Sequence, residues 1–109
     1  MFNVIGMIGN YPQRLVDVTK VKSAVVDTVS VTDGSHPYET AVYHPEYNDD
    51  RWIVVEAYDT REEAQEGHNK WVDIMSSDDL PDKLVDCCNA EISKFLDPKK
   101  MIFYRKKGE

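Results

Sequence analysis

Apolar residues come in short blocks separated by polar, turn-forming ones, and the spacing inside each block predicts its conformation. Residues 23–32 hold the densest β-branched run: Val25, Val26, Thr28, Val29, Val31 and Thr32. Such side chains fit a pleated surface. Period two puts Val25, Val29 and Val31 on one face, which Asp27 interrupts. That predicts a strand partly buried or near a sheet edge. Residues 40–44 and 52–58 read as further strands, and in the latter Ile53, Val55 and Ala57 share one face while Trp52, Val54, Glu56 and Tyr58 share the other. Residues 14–21 read as extended chain leading into the first of these strands. Residues 1–10 read as a short strand or docked arm that stops at Gly9-Asn10.

The period then changes. Ala64, His68, Trp71, Val72 and Met75 recur at helical spacing. Thr60 and Glu63 form a capping-box pair at the start of that helix, and Glu66 and Lys70 stand four apart on its outer side. Pro81 suits the first turn of a second helix running to about residue 96, with Leu84, Val85, Cys88, Ile92, Phe95 and Leu96 on its apolar side. Asp97-Pro98 ends it, residues 101–104 make a last strand, and the basic tail 106–109 is expected to fray. The linkers between strands are too short for parallel crossovers. The predicted fold is α+β: an antiparallel β-meander of three to five strands with two α-helices packed on one face, as a single domain over 1–109.

Composition adds charge to this picture. The 109 residues carry a net charge of −7. Between Asp33 and Asp86 fifteen acidic residues face four basic ones, and the C-terminal end carries Lys99, Lys100, Arg105, Lys106 and Lys107. An acidic middle argues against direct nucleic-acid binding, which needs a concentrated basic surface. Cys87 and Cys88 are adjacent and suggest no disulfide framework. No apolar run is long enough to span a membrane, and the first residues lack a signal-peptide pattern. The expected setting is the cytoplasm, and a homo-oligomer is left open.

Candidate chemistry concentrates in residues 35–51. His36, Tyr38, Glu39, His44, Glu46, Tyr47, Asp49, Asp50 and Arg51 gather around the strand 40–44. That strand spans about 13 Å, which argues against one metal shared by His36 and His44. His36, His44, Glu46 and Asp49 lack zinc-motif spacing, so no metal and no cofactor is expected. Exposed tyrosines and histidines suit a binding surface. The blander alternative has each His-Pro shaping a loop and the tyrosines packing on the sheet edge. His68, on the apolar helix face, reads as a core residue bonded to a neighbour. No phosphate loop, nucleophile elbow, zincin or redox motif is present, so no catalytic residue is assigned.

The runs His36-Pro37-Tyr38-Glu39-Thr40-Ala41-Val42, His44-Pro45-Glu46-Tyr47-Asn48-Asp49, Trp52-Ile53-Val54-Val55-Glu56, Tyr58-Asp59-Thr60, Glu62-Glu63-Ala64, Gly67-His68 and Trp71-Val72 resemble short hypothetical proteins of bacteriophages and prophages. The resemblance implies a small phage accessory protein made in the bacterial cytoplasm, and it carries no activity. The expected function is binding of a macromolecular partner, expected to be a protein, in its sharper form inhibition of a basic host protein. The alternatives are a small-molecule or metal-binding protein or enzyme using residues 36–51, and a virion structural component.

Overall fold

The computed structural model describes residues 14–32, 35–47, 52–87 and 101–106. The expected arm at 1–10 lies outside them. Four strands follow one another across a single antiparallel sheet: β1 (Leu15–Val21), β2 (Ala24–Ser30), β3 (Tyr38–Tyr43) and β4 (Ile53–Tyr58). The expected α+β meander is therefore observed. Between β1 and β2 only Lys22 and Ser23 turn the chain, and Lys22 takes a left-handed backbone at φ 52° to do so.

β2 is an inner strand, not an edge. Six of its seven residues are buried, and Asp27 is 2% exposed. Burial on both faces explains why its sequence runs almost without polar alternation.

A β-bulge reshapes β4. Thr40 pairs with Glu56 but Ala41 pairs with Val54, so Val55 is the extra residue. A one-residue insertion moves everything beyond it to the other face. Ile53 stays in the core, yet Glu56 and Tyr58 also turn towards the helix, against the alternation the sequence suggests.

The helix α1 (Arg61–Ser76) starts where expected. Thr60 is the N-cap, its hydroxyl accepting from the Glu63 amide at 3.1 Å. The Glu63 carboxylate reaches one residue further back than in a standard capping box, to the Asp59 amide. Glu62 and Glu63 complement the positive end of the helix dipole. Ala64, His68 and Met75 are buried against the sheet, with Trp71, Val72 and Ile74 packed around the core of Ala24, Val26, Val42, Tyr47, Ile53, Met75 and Leu84.

The second helix needs correction. Residues 83–85, expected in its first turns, form β5 (Lys83–Val85), which pairs antiparallel with β6 (Ile102–Tyr104). The Cys87 amide donates to the Val54 carbonyl, fastening the ribbon to β4. These amides are taken by other strands, so they are not available for helical bonds. Residues 88–96 of the expected helix lie outside the described residues. Lys106, expected to fray, instead donates its amide to the Glu46 carbonyl at 2.7 Å. No described helix is long and apolar enough to cross a membrane.

Candidate functional site

Two features stand out where α1 crosses the sheet: a buried polar ladder and an open cleft at its end. The ladder has one rung per strand. Thr19 of β1 bonds His68 Nε2 at 2.9 Å, and Thr28 of β2 bonds His68 Nδ1 at 2.7 Å. Thr28 and Thr40 join hydroxyl to hydroxyl at 2.6 Å, and Thr40 meets the Tyr58 hydroxyl at 3.0 Å. His68 is 1% exposed, and Thr28 and Thr40 are fully buried. Burial holds His68 below its ordinary pKa, an effect that nearby Asp17 partly opposes. The same burial raises the Tyr58 phenol to about 12.

Glu56 ties β4 to the helix. Its Oε1 accepts from Lys70 Nζ at 2.6 Å and Trp71 Nε1 at 2.8 Å. Burial pushes the Glu56 carboxyl up, but these bonds and the Lys70 charge outweigh it and leave it below the usual range. Lys70, expected to pair along the helix with Glu66, thus reaches β4.

The cleft lies between the first turns of α1 and the end of β4. It has a volume of about 450 Å³ and is lined by His36, Glu56, Tyr58, Asp59, Glu63, Glu66 and Lys70, among others. His36 Nδ1 and Asp59 Oδ1 lie 2.7 Å apart at its mouth. Gly67 forms part of the wall. A Cβ built there would fall 2.1 Å from the Tyr58 hydroxyl, so only glycine lets the phenol tuck beneath the helix.

The described residues singled out in 35–51 divide into two groups at opposite ends of β3. His36 opens into the cleft, with Tyr38 and Glu39 beginning β3 beside it; Tyr38 pairs with Tyr58, and Glu39 with Ala57. At the other end His44 and Tyr47 are buried in a tight turn. Their rings meet edge to face at 5.6 Å, His44 Nδ1 accepts from the Glu46 amide, and the Tyr47 hydroxyl donates to the Pro81 carbonyl. Burial lowers the His44 pKa, a nearby Glu46 charge opposing it and Arg105 adding to it. Glu46 takes Arg105 Nε at 2.6 Å, which binds this turn to the ribbon. His44, Glu46 and Tyr47 therefore anchor the fold. Asp49, Asp50 and Arg51 lie outside the described residues. Among the described residues no group of three or more His, Cys, Asp or Glu side chains is placed to hold a metal ion.

The sequence reading passed over Thr19, Thr28, Thr40, Tyr58 and Gly67. A signal was present. A lone histidine on an apolar helix face needs polar partners, and threonines at inward strand positions supply them. Comparison with known proteins finds no matching family, no matching curated protein and no matching solved structure.

Proposed function

We propose that the protein is a small acidic accessory protein of phage type that acts by binding a basic region of a macromolecular partner, using the cleft beside α1. The observation that carries this reading is the composition of the cleft wall. Glu56, Asp59, Glu63 and Glu66 line it, against Lys70 and His36. Lys70 is already held by Glu56, and His36 lies against Asp59, so Glu63 and Glu66 give the exposed rim its negative charge. Such a rim steers cationic partners and rejects nucleic acid. Inhibition of a basic host protein is the sharper form of this reading.

The test is affinity purification from bacterial lysate with the wild-type protein and the Glu63→Lys/Glu66→Lys double variant, at low and high salt. Partners retained by the wild type, lost with the variant and eluted by salt support the reading. An identical, salt-resistant set of partners for both proteins overturns it.

A second reading, small-molecule binding at the same place, draws on the size of the cleft, which falls in the range of ligand pockets, about 300–1,000 Å³. Its wall is more charged than such pockets usually are, and this favours the macromolecular reading.

A further inference from the structure

We propose that the turn at His44 is a proton-operated latch: it holds the β5–β6 ribbon to the sheet while His44 Nδ1 is bare, and it lets the ribbon go when that nitrogen takes a proton. The latch works whichever partner fills the cleft.

Its basis is which groups can donate. A backbone N–H only donates, so the Glu46 amide, 3.0 Å from His44 Nδ1, requires a lone pair there. The neutral ring therefore carries its proton on Nε2. An imidazolium has an N–H at both nitrogens, and its Nδ1–H would meet the Glu46 N–H head on. The Tyr47 amide donates to the His44 carbonyl at 3.1 Å, which closes the turn and keeps ring and amide together. His44 is 4% exposed, so the ring has no easy way out into solvent.

The same turn carries the ribbon. Glu46 accepts Arg105 Nε at 2.6 Å through its carboxylate and the Lys106 amide at 2.7 Å through its carbonyl. Tyr47 sets its ring edge to face against His44 and donates its hydroxyl to the Pro81 carbonyl, just before β5. Driving the Glu46 amide away from His44 thus disturbs both residues that grip the ribbon.

The charges that act on His44 are Glu46 and Arg105, with Asp82 near Tyr47 and Asp79 near Arg105. Burial and Arg105 disfavour the imidazolium, Glu46 favours it, and the disfavouring side prevails. Its bond to Arg105 holds Glu46 below the usual carboxylate range, and burial holds the Tyr47 phenol above its own. Within the turn His44 is the group that changes charge. Once charged, it either loses the Glu46 amide or competes with Arg105 for the Glu46 carboxylate, and both loosen the same tie. Release uncovers Leu84, 2% exposed, and Phe103, packed against the core. The acid form offers an apolar strip that the neutral form hides, while β1 to β4 keep their own pairing.

Amide hydrogen exchange of the full ¹⁵N-labelled chain, read as protection factors at about pH 7.5 and about pH 5, on either side of the ordinary histidine pKa, tests this. On acidification Cys87, Arg105 and Lys106 should lose protection beyond any loss at Val26 and Thr28 of β2. The excess should reach up to about tenfold for each pKa unit between latched and released His44. Comparison with β2 separates local release from the general loss of stability that His68 brings. At the higher pH, long-range ¹H–¹⁵N spectra of His44 should show Nε2–H and a bare Nδ1. His44→Asn puts an amide oxygen where Nδ1 stood, an acceptor that takes no proton, and should abolish the excess loss. A His44 ring protonated on Nδ1 at the higher pH overturns the inference. So does loss of protection in step between ribbon and β2, or an excess loss that persists in His44→Asn. The wild-type measurements decide the matter even if the variant fails to fold.

Discussion

His68 is where local chemistry and overall stability meet. Buried and neutral, it has a pKa depressed below its ordinary 6.5, so the unfolded chain takes up a proton more readily than the folded one. Stability is therefore complete above about pH 6.5 and falls as the pH drops below it, until the folded-state pKa is reached. His44, also depressed by burial, adds in the same sense. Urea denaturation across this window should show the loss, and His68→Gln should reduce its slope. Thr28→Val keeps the shape of the side chain but removes the hydroxyl shared by His68 and Thr40. Orphaned buried polar groups of this kind cost about 1–3 kcal/mol, which the urea midpoint should report. Gly67→Ala forces a methyl into the Tyr58 hydroxyl, and the same measurement should show a loss of about 1–3 kcal/mol. At this scale the sequence exposed one partner of each contact. His68 was legible as a core histidine because it sits on an apolar helical stripe. Its threonine partners were not, because strand register decides which hydroxyls it meets.

Element by element, the parts with strong local signals were readable. β2, β3, β4 and α1 follow from β-branched runs, from helical periodicity and from the Thr60 cap, whereas β1 was legible only as extended chain. Thr60→Ala should cost about 1 kcal/mol, seen as a lower thermal midpoint with unchanged folded-state circular dichroism. Two features were hidden. The bulge at Val55 has no local signature, yet it turns Glu56 and Tyr58 under the helix. Deleting Val55 leaves Ile53, Glu56 and Tyr58 in regular alternation on one face, so the Trp71–Glu56 bond and the tryptophan fluorescence should survive; a shifted spectrum in the folded variant would contradict this role for the bulge. The β5–β6 ribbon was hidden for another reason. The segment after Pro81 has helical apolar spacing, but residues 83–85 find their partners at 102–104 and β4 nearby, and long-range pairing overrides local preference.

For the molecule as a whole, the site predicted around β3 proves to be two structures. The turn at His44–Tyr47 is a clasp between the sheet and the C-terminal ribbon, through Glu46, Arg105 and Lys106. Among its described residues only His36, with Tyr38 and Glu39 beside it, belongs to the cleft side. Glu63 and Glu66 of α1 bring part of the chain's acidic excess to that cleft, which Tyr58 also lines. Val85 and Tyr104, exposed on the ribbon, offer the competing surface. The most direct test is a titration of ¹⁵N-labelled protein with the partner recovered by affinity purification, following backbone amide shifts. The account predicts the largest changes at His36, Glu56, Tyr58, Asp59, Glu63, Glu66 and Gly67, fading as salt is added. Changes confined to Val85, Tyr104 and their neighbours, with the cleft amides unmoved, would contradict it.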